Sequence, residues 1–592
     1  MIPEPDIPPQ DGKLARLRTV FLFASPVLVA CPWSYGLTSF LHAKEAALAL
    51  WVLVMLPLWL AARPPRAAGR DFALALAAFF VFLAGMAFLE SGELTWWTRA
   101  ALVRAGLLIS GLLLVADLLG RDSDEGLLRA VLLSGAAVSA LAVLQYAGRL
   151  PRLFPVFPGY DQPAYSVFGN QDLLGGYAAL ALAAGIGLLS RRLAEGCRAG
   201  RTGAFADLLA ALCCTGGLAV SMSRSAWLAA AVGGAVAAAS ALCRRGIPWR
   251  RRIAAGAVLA ALVLPALPVL SPVLARVDAT FDAGDTGYHV RRWLWAGAWD
   301  MFLDRPATGA GLGDFARESP WHLGRVLWAD GGGRHTHNEL HADNAHGEPL
   351  QFLAENGLAG AAALAALAAF WLGNLRRGRF RRPSAGVLGA LAALAVFCCM
   401  NAGLKSVPHA WAGLLLLCGA GTQRPAETAV SGGRAGEGGL RCAAALLVCA
   451  AVAGCFWGVV RPSRLLRHAE DLHLAGDPGA DAAYRRVFSG AWPPPQAGED
   501  HAILLLSQGR PSEALGRLAA GRRDADTGRL HLLRAEALHA LGRGEEARAA
   551  AVECVFRWPG NARAWEILRV TGRAGEWEHW EARRRAREAK GS

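Results

Sequence analysis

Thirteen apolar runs, nearly all of bilayer-crossing length, limit this chain more than any other feature. A hydrocarbon core of about 30 Å needs about 20 apolar residues in a helix. Such runs fall at 19–38, 44–62, 71–89, 100–119, 127–147, 172–190, 204–222, 225–243, 252–271, 350–374, 385–403, 407–420 and 440–460, the run at 407–420 being short. In lipid the backbone has no water to bond, so each run must satisfy its own amides as a helix. An all-α, polytopic membrane protein with about 13 transmembrane helices is expected. A hydrophobic content of 54% excludes an ordinary soluble protein. The first run is too long, and lacks the small-residue cleavage site, for a removed signal peptide.

Arginine placement predicts the orientation. With the N-terminus inside, the inner loops hold Arg63, Arg66 and Arg70; Arg191, Arg192, Arg198 and Arg201; Arg244, Arg245, Arg250, Arg251 and Arg252; and Arg376, Arg377, Arg379, Arg381 and Arg382. Counting the tail and smaller loops, about 25 Lys/Arg lie inside against about 6 in the short outer loops, the asymmetry of the positive-inside rule. The net charge of +14 is then mostly topology, and no nucleic acid partner is expected. Trp96 and Trp97, in a short outer loop, read as an interfacial anchor. An odd number of spans puts everything after residue 460 outside. Eleven of the twelve cysteines lie in or beside apolar runs without paired spacing, so they read as small hydrophobes.

Four regions follow: transmembrane helices in 1–271 (about nine), one large outer loop at 272–349, further transmembrane helices in 350–460 (about four), and a polar tail at 461–592. In the tail, Gly476, Gly509, Gly542 and Gly575 recur every 33 residues. Ala547, Ala551 and Pro559 follow Gly542 at the spacing of the later half of a tetratricopeptide repeat, and Ala514 follows Gly509 in the same way. Small residues suit close helix crossings and proline stops the second helix. The tail therefore resembles an α-solenoid of tetratricopeptide-like repeats, which implies docking of a peptide or protein partner.

Polar residues of chemical interest gather at the outer ends of the spans. Asn170 opens the sixth run in SVFGNQDLLGGY, and SMSRSAW places Arg224 between Ser223 and Ser225 in a tight turn. In the long loop, Arg291 and Trp295 are one helical turn apart, Arg292 is adjacent, and Gly309, Gly311 and Gly313 precede Phe315. The loop carries six of the fourteen histidines, and the last, His346, stands four residues before the next apolar run. A titratable imidazole at the mouth of a membrane helix is a functional candidate. Gln351 and Glu355 follow one turn apart, then Gly357 and Gly360.

These segments, in this order, resemble the O-antigen ligase and polymerase superfamily of envelope glycosyltransferases over roughly residues 20–420. That pattern has an asparagine opening a span, an SRS/SRG turn, R-x-x-x-W leading to G-x-G-x-G-x-F, and a histidine followed by L-Q and E-x-G. One departure is Gly347 where the family commonly has asparagine after the histidine. The resemblance implies a GT-C-like fold and transfer of a glycan from an undecaprenyl-diphosphate carrier to a hydroxyl acceptor at the periplasmic face of the bacterial inner membrane. The acceptor is lipid A-core in a ligase, a growing O-antigen or exopolysaccharide chain in a polymerase, and a protein in an O-oligosaccharyltransferase.

Arginine binds phosphate oxygens bidentately without losing its proton, so Arg224 and Arg291 suit a diphosphate leaving group. His346 suits the attacking hydroxyl as base or orienter. Asn170, Ser223, Ser225, Arg292, Trp295, Gln351 and Glu355 are the candidate substrate-binding residues. Blander readings stand beside these: Arg224 snorkelling to headgroups, Arg292 solvated, His346 structural, Asn170 a helix N-cap, Glu355 a positioning group. No cofactor and no metal is expected, although His335, His337, His341, Asp343 and His346 have spacings that a zinc ion could use. The Asp122-Ser123-Asp124 string reads as a solvated turn. A transporter of lipid-linked glycan is the rival reading, disfavoured because the polar residues lie at the lip and no duplication of spans is visible.

Overall fold

The computed structural model describes residues 12–61, 68–116, 118–119, 123–154, 164–195, 201–243, 248–250, 253, 286–329, 339, 342–380, 382–420, 434–490, 492–572, 578, 581–582 and 585. Among these residues all regular structure is helical. Fourteen helices precede the tail: α1 Gly12–Ala30, α2 Phe40–Ala61, α3 Ala68–Ser91, α4 Trp96–Val115, α5 Ser123–Tyr146, α6 Gln171–Glu195, α7 Arg201–Ser221, α8 Arg224–Leu242, α9 Thr286–Asp304, α10 Phe315–Ala329, α11 Glu348–Arg376, α12 Ala385–Met400, α13 Val407–Ala420 and α14 Arg434–Gly454. Nine helices among the described residues are long and apolar enough to cross a membrane.

This is a multi-pass membrane architecture with a lower described span count than the sequence suggests. The run at 252–271 lies outside the described residues. The first run does not form one helix over 19–38, because α1 ends at Ala30 and the chain stays non-helical to Ser39. The runs at 385–403 and 407–420 form shorter apolar helices, α12 and α13. The run at 350–374 belongs to α11, whose helix is interrupted at Gly357 (φ 58°, ψ −163°).

Helix α6 is the central strut. It is buried over nearly its whole length and packs against α5, α7, α8 and α12. One end of this bundle collects cations: Arg129 and Arg192 both pair with Asp207, at 3.1 and 2.9 Å, and Arg376 closes α11 there. The other end holds the start of α6, the α7–α8 turn and the start of α11. The described basic residues Arg129, Arg192 and Arg376 and the polar segments singled out in the sequence therefore lie at opposite ends of the bundle.

The boundary expected at 460/461 falls inside a continuous helix. Helix α14 passes through a π-helical stretch, Cys455–Val460, into α15 (Arg461–Leu474). Six more helices follow: α16 Ala480–Phe488, α17 Ala497–Ser507, α18 Pro511–Gly521, α19 Gly528–Ala540, α20 Gly544–Arg557 and α21 Ala562–Thr571. They pack as successive pairs, α15 with α16, α17 with α18, α19 with α20. The turns within the pairs contain Gly476, Gly509 and Gly542, all left-handed at φ 67°, 70° and 72°, so the 33-residue glycine period is a turn period. Gly575 lies outside the described residues. Ala514, Ala547 and Ala551 are fully buried.

The tail is folded back onto the site end of the bundle. The Trp96 amide donates to Asp524 Oδ1 (2.8 Å) and the Trp97 indole to the Asp524 carbonyl (2.8 Å). These tryptophans, expected as an interfacial anchor, thus bond the tail. Glu339 accepts from the Gly528 and Arg529 amides at the start of α19, where a carboxylate complements the helix N-terminus. Trp321 of α10 packs on Phe556 with ring centroids 4.4 Å apart and planes tilted by 39°, and the Trp328 indole donates to the Phe556 carbonyl.

A candidate active site at the start of the sixth helix

Three hydrogen bonds hold the His346 loop. The His346 amide donates to Asn344 Oδ1 (3.0 Å), the Trp295 indole donates to the His346 carbonyl (3.2 Å), and the Ala345 amide donates to Gln351 Oε1 (3.1 Å). Gln351 in turn donates to Glu355 (2.8 Å), which is buried and accepts from the Gly313 and Phe315 amides (3.0 and 3.3 Å). Glu355 thus joins the glycine-rich turn to the histidine loop. These bonds hold His346 at φ 48°, a left-handed backbone that costs a non-glycine residue about 1 kcal/mol or more. Such strain persists only where surrounding contacts over-determine it.

The turn itself explains the glycines. Residues 306–311 lie along 354–359, with Leu358 N donating to Pro306 O (2.8 Å), Ala359 N to Ala307 O (3.0 Å), Ala310 N to Ala354 O (3.0 Å) and Gly311 N to Glu355 O (2.8 Å). A Cβ on Gly309 would overlap the Glu355–Asn356 peptide, and one on Gly357 would stand 2.5 Å from Ala307 O. The G-x-G-x-G and E-x-G segments are therefore two sides of one backbone contact.

A second network runs across the helix starts. Asn170 Oδ1 accepts from the Asp172 and Leu173 amides (2.8 and 3.1 Å), making it the N-cap of α6. Ser223 Oγ donates to Asp172 Oδ1 (2.5 Å), and Asp172 Oδ2 lies 3.5 Å from Arg291 Nη2. Ser223 and Ser225 hydroxyls are 3.2 Å apart, Asn401 Nδ2 donates to Ser225 Oγ (2.6 Å), and Asn401 Oδ1 is 3.5 Å from His346 Nδ1. Burial, and then the charge of Arg291, push the His346 imidazole below its usual value. It is therefore neutral near pH 7 and able to accept a proton.

Two cavities meet at these residues. One of about 290 Å³ is lined by Gln171, Asp172, Met222, Ser223, Arg224, Gly287, Val290, Arg291 and His346. Arg224, Arg291 and His346, far apart in sequence, thus face one space. The other, of about 650 Å³, opens between the bundle and the tail, and shares Asp172 and His346 with the first.

Residues 209–365 match the family model described as O-Antigen ligase. The match runs from α7 into α11 and includes Ser223, Arg224, Ser225, Arg291, Trp295, His346, Gln351 and Glu355. It supports a membrane glycosyltransferase-type enzyme with a ligase or polymerase role. No curated protein and no solved structure matches the chain.

The candidates from the sequence divide by position. Arg224, Arg291, His346 and Ser223 line the smaller cavity, and Asn170 lines the larger one while capping α6. Trp295, Gln351, Glu355 and Ser225 line neither. Their side chains bond other parts of the site: Trp295 the His346 carbonyl, Gln351 the Ala345 amide, Glu355 the glycine-rich turn, and Ser225 Asn401. Arg292 is exposed and also lines neither cavity. Asp343 lines the larger cavity, whereas His335, His337 and His341 lie outside the described residues; no metal-binding group of three or more ligands occurs among the described residues. Sequence reasoning missed Asp172 and Asn401. The signal for Asp172 was present: Asn170-Gln171-Asp172 is a polar triplet opening the most buried helix. Asn401 sat inside a run read as a span.

Proposed function

We propose that this protein is an O-antigen ligase-like glycosyltransferase that moves a glycan from an undecaprenyl-diphosphate carrier to a hydroxyl acceptor at the periplasmic face of the inner membrane. The observation that carries it is the 290 Å³ cavity in which two guanidinium groups face one imidazole. The basic residues Arg129, Arg192 and Arg376 at the opposite end of the bundle support a periplasmic site by the positive-inside rule.

Arg224 and Arg291 bind the diphosphate oxygens and stabilise the charge that builds on them as the sugar leaves. Asp172 orients this grip, accepting from Ser223 on one side and pairing with Arg291 on the other. His346 Nδ1 or Nε2 takes the proton of the acceptor hydroxyl as its oxygen attacks the anomeric carbon. The new C–O bond forms as the bond from the anomeric carbon to phosphate breaks, and undecaprenyl diphosphate departs with the electron pair. Attack opposite the leaving group inverts the anomeric configuration. With the guanidinium groups taking the developing charge, this route requires no metal ion.

The test is reconstitution of the purified protein with a lipid-linked oligosaccharide and hydroxyl acceptors. Transfer that continues in chelator, inverts the anomeric centre, and is abolished by Arg224→Ala and His346→Ala with membrane insertion intact is the expected result. Wild-type rates in either variant remove that residue from the mechanism.

A further inference from the structure

The larger cavity differs from the smaller in charge, and one wall of it belongs to the tail. Five carboxyl groups face it (Asp172, Glu339, Asp343, Glu499 and Asp524) against the three cations Arg104, Lys405 and Arg529. The smaller cavity has the reverse balance, two guanidinium groups against Asp172. Different balances select different molecules. Burial raises the Glu339 and Glu499 carboxyls, Glu339 to about 7, so the larger cavity is near neutral to acidic and offers an anion no net attraction, unlike the smaller one.

The three cations of the larger cavity are also already engaged. Arg104 pairs with Glu45 at 2.8 Å and Arg529 with Asp500 at 3.2 Å. Lys405 donates to the Asp343 carbonyl and lies 5.7 Å over the Trp97 ring. A phosphorylated ligand would have to break these contacts. The carboxyl groups are bonded too, Asp172 to Ser223, Glu339 to the Gly528 amide, Glu499 to Thr527 and Asp524 to the Trp96 amide. A carboxyl oxygen nevertheless keeps a further lone pair that can accept from a hydroxyl. A ligand of hydroxyl groups therefore meets acceptors and amide groups beside Trp96 and Trp97 without breaking these contacts. A volume of about 650 Å³ lies in the range of small-ligand sites and takes a short oligosaccharide end.

We propose that this chamber is the acceptor site, that it takes the uncharged, hydroxyl-bearing end of a saccharide in preference to a phosphorylated one, and that the starts of α17 and α19 are part of it. This rests on the transfer reading above. The tail contributes Gln496, Glu499, Asp524, Thr527 and Arg529 to the lining, and it is fixed there by the Asp524–Trp96 and Glu339–Gly528 contacts. The tail is then a substrate wall, and its hydrogen bonds to Trp96 and Trp97 set the chamber's height. An acceptor entering from this side reaches His346 and Asp172, which both cavities share, while the diphosphate is held on the other.

The experiment uses the full-length protein in lipid nanodiscs with an undecaprenyl-diphosphate-linked oligosaccharide donor. Three labelled acceptors compete: a neutral oligosaccharide, the same oligosaccharide carrying one phosphate, and a serine-containing peptide of similar length. The neutral oligosaccharide should show the lowest KM. Gln496→Trp, filling the chamber from an exposed tail position, should raise that KM at least about tenfold while the donor KM stays unchanged. Gln496→Lys, a surface change that adds a cation without filling space, should lower the preference for neutral over phosphorylated acceptor at least about threefold. The phosphorylated acceptor or the peptide ranking first overturns the proposed chemistry. An unchanged acceptor KM in Gln496→Trp, or an unchanged preference in Gln496→Lys, overturns the tail's part in the site. Wild-type protein that transfers to none of the three refutes the transfer reading itself, a result distinct from transfer that ignores both Gln496 variants.

Discussion

Gly357→Ala tests whether the backbone contact between residues 306–311 and 354–359 sets the geometry of the site. Gly357 has φ 58° and ψ −163°, a region essentially reserved for glycine, and placing a side chain there costs about 1–3 kcal/mol. The new Cβ would also stand 2.5 Å from Ala307 O and 2.7 Å from Gly309 N, both backbone atoms without the freedom of a side-chain tip. Relief requires the two segments to part, which breaks the Leu358–Pro306 and Ala359–Ala307 hydrogen bonds at about 1 kcal/mol each. The sum is about 3–5 kcal/mol. Glu355, Gln351 and Ala345 lie on the path from this contact to His346. If 3 kcal/mol is lost from the competent arrangement, transfer falls at least about 100-fold, at 1.36 kcal/mol per tenfold. Gly373→Ala is the control of opposite sign. Gly373 lies in the regular part of α11 with nothing within 4 Å of its added Cβ, and alanine there is favourable by about 0.5–1 kcal/mol. Transfer rates and melting of the detergent-solubilised variants decide the matter. Gly357→Ala with a rate within about threefold of wild type and unchanged melting refutes the reasoning, because a cost of several kcal/mol would then have left no trace.

Three further outcomes follow from the site. The pH profile of transfer should reach its plateau below neutrality: the neutral imidazole of His346 is the active form, burial and Arg291 lower its pKa from 6.5, and activity is lost only as pH falls through that lowered value. An acid limb centred above 6.5 contradicts this. Arg291→Lys keeps the charge but loses the bidentate fork, so kcat should fall about tenfold to 100-fold, a loss of about 1.5–3 kcal/mol, measured under donor saturation. Glu355→Gln puts an amide where a carboxylate accepts from the Gly313 and Phe315 amides. It should destabilise the protein by about 1–3 kcal/mol and lower transfer without changing the pH limb, as thermal melting and rate profiles would show.

Much of the site was legible because its residues obey local rules. The E-x-G segment and the G-x-G-x-G turn stand out as glycines in unusual positions, and the structure shows them sharing one contact. Asn170 was recognisable as an N-cap from its place before an apolar run. Asp172 was obscured by that same run, since a carboxylate at the first position of a span looks like a flaw in the pattern until Ser223 and Arg291 appear beside it. Asn401 has no periodic signature at all, and its value comes from meeting Ser225 and His346 across the bundle. Tryptophan at a span end can serve as a lipid anchor or as a donor to another part of the chain, and no local pattern announces the second. The Trp97 indole and the Trp96 main-chain amide both bond Asp524, over 400 residues away. Helix boundaries were the least legible, as α1 shows, because the end of an apolar run does not coincide with the end of helical backbone.

The unbroken passage from the last span into the tail has a mechanical consequence. The helix from Arg441 to Leu474 is 34 residues long, about 50 Å at 1.5 Å per residue, and the hydrocarbon core occupies about 30 Å of it. What projects is a post of continuous helix, passing through the π-helical stretch at Cys455–Val460, with the first tail pair mounted on it. Its tilt follows from packing against α2 and α4, so those two spans carry the tail's mount and any shift of either is passed up the post to the domain it holds.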